Sequence, residues 1–244
     1  MGTLTQIWRY PIKGCGREPL DRTDLVAGTT LPGDRAWAIA HEAAKLTGGW
    51  DHCSNFAITS KSPRQQAIGA RTNADGTLTM THPDLAEVTV DLPSDGQKLI
   101  DWVTPIWPDN RPALAQVVPA PERGVTDTNY ASVSIMNRAS LRALCQKSGL
   151  TLQARRFRGN IWIDGAAPWE EFDWIGKTLS ICDATLEIVE PIERCLSTHA
   201  NPDTGRRDAE VLRHLNGDWG HQNFGVHARV VNGGAIARGD AIIL

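Results

Sequence analysis

Short runs of β-branched and apolar residues, separated by turn-forming residues, dominate this sequence. Most runs alternate apolar with polar residues or are rich in Val, Ile and Thr, a pattern typical of half-buried strands. The runs are 4–9, 36–40, 77–80, 87–92, 131–136, 161–163, 178–181, 185–189, 226–231 and 241–244. This spacing favours a β-barrel or a mixed sheet over alternating strands and helices.

Two short amphipathic helices are predicted between the strands. Asn137 can cap the first helix, which ends at Gly149, and the second is predicted over 208–215. The fold class predicted from these patterns is mainly β with a few short helices, that is, α+β.

A proline-rich segment is predicted to link two halves of the chain. Five of the 14 prolines lie between residues 105 and 121, where apolar periodicity is weak. The 244 residues suffice for one large domain or two small ones. We therefore predict an N-terminal domain over 1–110 and a C-terminal domain over 111–244.

Charge and hydropathy exclude several classes of partner. Lys plus Arg number 25 against 28 Asp plus Glu, a net charge of −3, which argues against a broad surface for nucleic acid or anionic lipid. Apolar runs span only a handful of residues, whereas a membrane helix needs about 20. Residues 1–10 lack the basic start and apolar core of a secretory signal. The sequence predicts a cytoplasmic protein with no nucleic-acid or membrane partner.

Two features of the C-terminal half could bind a metal or an anion. Cys195 follows Arg194, whose charge favours the thiolate form, the form that binds transition metals. Arg155, Arg156 and Arg158 precede a predicted strand and could clamp an anion such as phosphate. The alternatives are a small buried apolar cysteine and a solvated basic loop. The residue types alone do not decide between metal ligand and buried cysteine, or between anion clamp and solvated loop. Nothing around Cys53, Cys145 or Cys182 indicates that these cysteines bind a metal.

Six short strings in the right order resemble the MOSC domain family together with its MOSC N-terminal β-barrel domain. They lie at 8–13, 33–37, 156–160, 168–176, 193–205 and 239–240. Amidoxime-reducing components and their bacterial relatives are members of this family. The resemblance implies a MOSC-type β-barrel packed against a smaller N-terminal β-rich domain, with a cofactor groove between them.

The resemblance also implies a molybdenum cofactor, a molybdopterin that carries a terminal phosphate and an oxo-molybdenum centre. Cys195 matches the cysteine that binds the metal, and it is the predicted catalytic residue. The residues that the resemblance places around the cofactor are Lys13, Gly14, Arg35, Ser132, Arg156, Arg158, Asn160 and Arg194. Gly14 stands where amidoxime-reducing relatives commonly have serine.

The activity implied by the resemblance is an oxidoreductase that removes oxygen from small N-hydroxylated compounds such as amidoximes and hydroxylamines. The sequence has no ferredoxin-type cysteine cluster and no flavin or nicotinamide fingerprint. Electrons are therefore expected from a separate protein of the ferredoxin, flavoprotein or cytochrome type. The alternative is a non-catalytic module that stores or carries molybdenum cofactor, or that carries persulfide sulfur on Cys195.

Overall fold

The computed structural model describes residues 2–121 and 123–244, in which fifteen strands and three α-helices are found. The strands are β1 (Gly2–Arg9), β2 (Glu18–Leu20), β3 (Arg22–Leu25), β4 (Trp37–His41), β5 (Gly69–Thr72), β6 (Leu78–His82), β7 (Leu85–Val90), β8 (Leu114–Pro119), β9 (Val133–Asn137), β10 (Ile161–Asp164), β11 (Thr178–Ile181), β12 (Ala184–Glu193), β13 (Asn223–Asn232), β14 (Gly234–Ala237) and β15 (Ala241–Ile243). The helices are α1 (Gly96–Val103), α2 (Arg138–Ser148) and α3 (Val211–Trp219).

Seven strands close into a barrel. Their order is β10, β9, β13, β12, β11, β15 and β1, and β1 pairs again with β10, while β2 extends the sheet from β1. Strands β9 and β10 are parallel, and the other neighbours in the barrel are antiparallel. Side chains such as Leu4, Ile135 and Val226 are fully buried in its interior. Burial of the inward-facing apolar residues stabilises this closed sheet, and β9 and β10 are covered on both faces.

The remaining strands form three smaller sheets, and one of them joins the two halves by pairing β3 with β14. β4 pairs with β8, and β5, β6 and β7 form a three-stranded antiparallel sheet. Helix α1 buries Leu99, Ile100 and Val103 in the core of this region. The mainly β fold class, with a barrel and a smaller N-terminal β-rich part, is thus confirmed.

The structure differs from the sequence-based expectations in several segments, and it adds elements that were not predicted, namely α1, β2, β3, β5 and β14. Strand β8 lies inside the segment predicted as a linker, because the prolines flank its centre and leave residues 114–118 free to pair with β4. Helix α3 begins three residues later than predicted, since Asp208 bonds Arg156 and Asn201 instead of starting a helix. Strand β1 belongs to the barrel of the C-terminal half. The division at residue 110 stays a prediction.

Within the described residues, no helix has the length and apolar character needed to cross a membrane.

Candidate functional site

A cavity of about 520 Å³ lies between the barrel and the N-terminal half. The barrel contributes residues of β9, β12 and β13 and the segment before β10, and the other wall comes from residues 13–14, 35, 53, 58–60 and 126–129. Both halves therefore supply side chains to one concave site, as is common for ligand sites. Of the predicted site residues, the cavity brings together Lys13, Gly14, Arg35, Ser132, Arg158, Asn160, Arg194 and Cys195.

Lys13 is a buried cation at the floor of this cavity. Its side chain is only 4% exposed, and its Nζ donates to Asp127 Oδ1 at 2.6 Å and to the carbonyl of Val125 at 2.9 Å. Lys13 lies in a tight turn, in which Cys15 N donates to the Ile12 carbonyl at 3.0 Å. The turn fixes the backbone from which the Lys13 side chain reaches its two partners. Sequence reasoning missed Asp127, which lies in the loop before β9 and carries no motif of its own.

Arg35 and Arg158 both adopt the left-handed backbone conformation, with φ of 50° and 48°. This region is unfavourable for residues with a Cβ, and such strain is concentrated at functional sites. The two guanidinium groups contact the ring of Tyr10, at 5.1 and 4.4 Å from its centroid. Arg35 also donates to the Arg158 carbonyl at 3.2 Å and pairs with Asp34. These contacts fix both side chains toward the cavity before any ligand binds.

Arg158 and Arg194 are positively charged groups without a carboxylate partner among residues 2–121 and 123–244. Burial lowers the pKa of each to about 10. Arg194 instead donates to backbone carbonyls, to Phe224 at 2.8 and 2.6 Å and to Phe157 at 2.9 Å. Both side chains remain cationic at neutral pH, so the cavity wall holds positive charge suited to an anionic ligand.

Cys195 is exposed on the cavity surface, directly before a turn over Leu196–His199. Its Sγ lies 3.0 Å from Ser197 Oγ. A second thiol, that of Cys53, lines the same cavity, and burial followed by the charge of Asp127 raises its pKa. The cysteine positions in the sequence did not indicate that Cys53 and Cys195 line the same cavity, because the two segments approach each other only in the folded chain.

Asn160 and Ser132 lie in the cavity wall with their side chains already hydrogen-bonded. Asn160 Oδ1 accepts from Ser134 Oγ at 2.8 Å, and its Nδ2 donates to the Trp8 carbonyl at 3.1 Å. Ser132 Oγ accepts from Thr128 Oγ1 at 2.9 Å. These bonds leave each side chain with few free donors or acceptors, and they join the strands that form the wall.

His227 on β13 is a further cavity residue that the sequence did not single out. Its Nδ1 is buried and has no partner in the described part of the chain. Burial, followed by the charge of Arg194, lowers its pKa to about 4. The imidazole is therefore neutral throughout the physiological pH range.

Arg156 does not join the cavity, contrary to its assignment as a phosphate contact. Its side chain is 1% exposed and is fully engaged by Asp208 at 2.6 Å, Gln153 Oε1 at 2.7 Å and the His199 carbonyl at 3.2 Å. The 3₁₀ turn at Ala154–Phe157 directs this arginine away from Arg158. Arg156 thus tethers the loop that follows Cys195.

We expect Arg156→Gln to lower the free energy of unfolding by about 2–3 kcal/mol, because it removes a charge-assisted network whose acidic partner is half exposed. Urea denaturation would measure this loss. Arg155→Gln serves as the control, since Arg155 makes only a surface ion pair with Asp203 at 2.9 Å. Equal stability of the two variants would contradict the tethering role.

The ion pair between Lys13 and Asp127 predicts a specific pH dependence of stability. Burial opposes ionisation of Asp127, but Lys13 and then Arg35 outweigh it and lower the pKa to about 2. The unfolded carboxyl has a pKa of about 3.9. The pair therefore stabilises the fold above about pH 4, and this contribution is lost as pH falls through about 2. The Asp127 side chain is 70% exposed, so solvent screens the pair and the stabilisation is small. The melting temperatures of wild type and Asp127→Asn should differ slightly at pH 6 and converge near pH 2; a difference that does not change with pH would contradict the prediction.

Gly14 has a structural reason to be glycine. Its φ is +68°, and a Cβ there would lie 2.3 Å from the Ala57 carbonyl oxygen and 2.8 Å from Ile58 Cα. The backbone at residues 57–58 occupies the space that a serine side chain would need.

We expect Gly14→Ser to destabilise the protein by about 2 kcal/mol, through the clash and the positive φ together. Gly28→Ser is the matched control, because Gly28 has a φ of +74° but no atom within 4 Å of the added Cβ. Thermal unfolding would separate the two effects, and equal losses would show that the close approach at residue 57 is unimportant.

Comparison with known proteins places this architecture in a family. The MOSC domain model matches residues 122–243, and the MOSC N-terminal beta barrel domain model matches residues 1–118. The chain is 27% identical over 274 residues to molybdenum cofactor sulfurase of Anopheles gambiae, covering 92% of this chain and 34% of the sulfurase. It thus spans about a third of the length of that relative.

Two further comparisons, one with a sequence and one with a solved structure, cover most of the chain. Mitochondrial amidoxime-reducing component 1 of Mus musculus is 24% identical over 245 residues, covering 85% of this chain and 68% of the relative. Among solved structures, the YUAD protein of Bacillus subtilis is similar at 12% identity with a TM-score of 0.47, covering 99% of this chain and 93% of that chain. On the two family models, this chain belongs to the MOSC domain family and carries the MOSC N-terminal β-barrel domain.

Proposed function

We propose that the chain binds a molybdenum cofactor in the cavity between barrel and N-terminal half and reduces N-hydroxylated compounds there. The observation that carries this proposal is the set of cations around the cavity. Arg158 and Arg194 have no acidic partner in the residues that the structure describes, and Arg35 is held beside them by the Tyr10 ring. Buried guanidinium groups without counter-charges favour an anionic ligand such as a pterin phosphate.

Individual residues fit separate parts of such a ligand. Lys13, Arg35 and Arg158 would hold the phosphate and the pterin edge, and Arg194 would favour the thiolate of the neighbouring Cys195. The exposed Cys195 sulfur is a soft ligand of the kind that a transition metal prefers. The donor types in the cavity therefore fit a molybdopterin with one protein thiolate.

When bound, the cofactor supplies a redox centre that removes the N–OH oxygen. The overall change converts N–OH plus two electrons and two protons into N–H and water. The chain's own residues bind and orient: Cys195 fixes the metal side of the cofactor, the arginines fix its charged end, and Glu190 and Glu193 line the same cavity near Cys195. Electrons would come from a separate donor protein of the ferredoxin, flavoprotein or cytochrome type. A cytoplasmic location stays a prediction.

A second candidate function is favoured by the two thiols in one cavity and by the likeness to a protein named molybdenum cofactor sulfurase. In that alternative the chain carries cofactor or persulfide sulfur on Cys195 and does not turn over. Cys53 would then be the thiol available to exchange with it.

Metal analysis of the purified chain from a molybdenum-replete host distinguishes the two. Stoichiometric molybdenum, with reduction of benzamidoxime by a chemical reductant, is the expected result. A Cys195 persulfide without molybdenum would support the carrier instead. Protein that binds neither would contradict both.

A further inference from the structure

A second cavity of about 560 Å³ lies outside the site described above. It is formed by α2, the outer face of β1 and the segment 152–155, and it shares no lining residue with the first cavity. Its volume lies within the range of small-molecule sites, about 300–1,000 Å³. An apolar cluster that includes Phe157 and Trp162 shares Trp8, Leu141 and Leu152 with its wall.

The surface of this second cavity divides into an apolar part and a cationic part. Trp8, Leu141, Cys145 and Leu152 provide apolar surface, and three arginines are the charged residues of its lining. Some of the uncharged polar atoms are already engaged: Trp8 Nε1 donates to Gln6 Oε1 at 3.3 Å, and Gln153 Oε1 accepts from Arg156. Among the residues that the structure describes, no aspartate or glutamate lines the cavity.

The three arginines differ in their commitments. Arg142 forms a two-pronged pair with Asp164 at 2.7 and 2.8 Å, and Arg155 pairs with Asp203 at 2.9 Å. Arg138, at the first turn of α2, has no carboxylate partner and no side-chain hydrogen bond among residues 2–121 and 123–244. The guanidinium of Arg138 therefore lies beside the apolar part of the cavity without a side-chain partner among the described residues.

We propose that this second cavity binds an amphipathic organic monoanion, an apolar body with one carboxylate, and that Arg138 receives the carboxylate. The apolar walls bury the hydrocarbon, and the guanidinium offers paired donors to the two carboxylate oxygens. Charge complementarity disfavours a cationic amphiphile at the same site, because the charged residues in its described lining are all arginines. This site does not depend on the proposed reaction.

Cys145 provides a direct measurement, because its half-buried thiol lines the cavity. The full chain is treated with iodoacetamide, and alkylation of each cysteine is followed by peptide mass spectrometry with dodecanoate below its micellar concentration. At ten times its dissociation constant, dodecanoate should slow alkylation of Cys145 about tenfold. Alkylation of the exposed Cys182 should be unchanged.

Two comparisons decide whether the anion is recognised. Dodecyltrimethylammonium has the same tail with the opposite charge and should protect Cys145 little. Arg138→Gln should weaken dodecanoate binding about tenfold by calorimetry. Arg213→Gln, on the exposed surface of α3, should leave it unchanged. Absence of protection, equal protection by both amphiphiles, or equal affinities of the two variants would overturn the proposal.

Discussion

Cys195→Ser should abolish reduction of benzamidoxime while leaving the fold and much of the pterin binding intact. In the proposed complex the phosphate and pterin contacts would come from cationic side chains elsewhere in the cavity, so most of the binding should survive. A serine hydroxyl is hard and rarely ionised at neutral pH, and it replaces a soft thiolate poorly as a metal ligand. Because Cys195 is exposed and its Sγ bonds only Ser197, the substitution leaves no cavity in the core.

The test reconstitutes each variant with molybdenum cofactor and measures turnover with a chemical reductant. Cys182→Ser and Cys145→Ser are the controls and should retain activity, since neither residue lines the cofactor cavity. Cys53→Ser should also keep turnover if the chain is an enzyme, and it should impair sulfur exchange if the chain is a carrier. Full turnover by Cys195→Ser would refute its assignment as the metal ligand.

Arg158→Ala should weaken retention of the cofactor on the order of 10- to 100-fold. Loss of a charge-assisted contact with phosphate costs about 1.5–3 kcal/mol. The apoprotein should lose little stability, because the lost contacts with the Tyr10 ring and the Gly16 carbonyl are offset by removing a half-buried cation that has no acidic partner within the described residues. Weaker cofactor retention with nearly unchanged stability would show that Arg158 acts in binding and not in holding the fold together.

Arg155→Ala is the matched control for Arg158. Arg155 lies three residues away, is 31% exposed and pairs with Asp203 on the surface, so its loss should change cofactor occupancy little. Molybdenum and phosphate content after gel filtration would measure retention in both variants. Equal occupancy would remove the distinction between the two arginines.

The sequence located eight of the residues that line the cavity, because they stand in or near short strings that resemble a family. Lys13, Arg35 and Cys195 are far apart along the chain, and that resemblance is what put them in one site. Arg156 shows the limit of such reasoning: it lies two positions from Arg158 and has the same charge, but a single 3₁₀ turn sends the two side chains to different environments. Asp127 and His227 were missed because a counter-ion and an unpaired imidazole have no local sequence signal.

The fold shows a similar division between local and long-range information. Alternation of apolar residues predicted the barrel strands, since burial of every second side chain depends on the residues themselves. Strand β8 was not predicted because prolines weaken strand propensity. Pairing with β4 nevertheless occurs, mainly through the residues that lie between the prolines. The place of β1 in the barrel depends on partners more than 150 positions away, which no window of sequence contains.

The position of β1 also bears on how the chain acquires its structure during synthesis. Gly2 pairs with Ile242, so the barrel joins residues separated by 240 positions. Contacts of such long range slow folding, because a large loop must close before they form. During synthesis β1 is complete before β10 and β15 have been made. Until then its apolar face and its unpaired edge are exposed, and chaperones would recognise them. Residues 111–244 made alone would lack that strand, leaving a gap between β10 and β15.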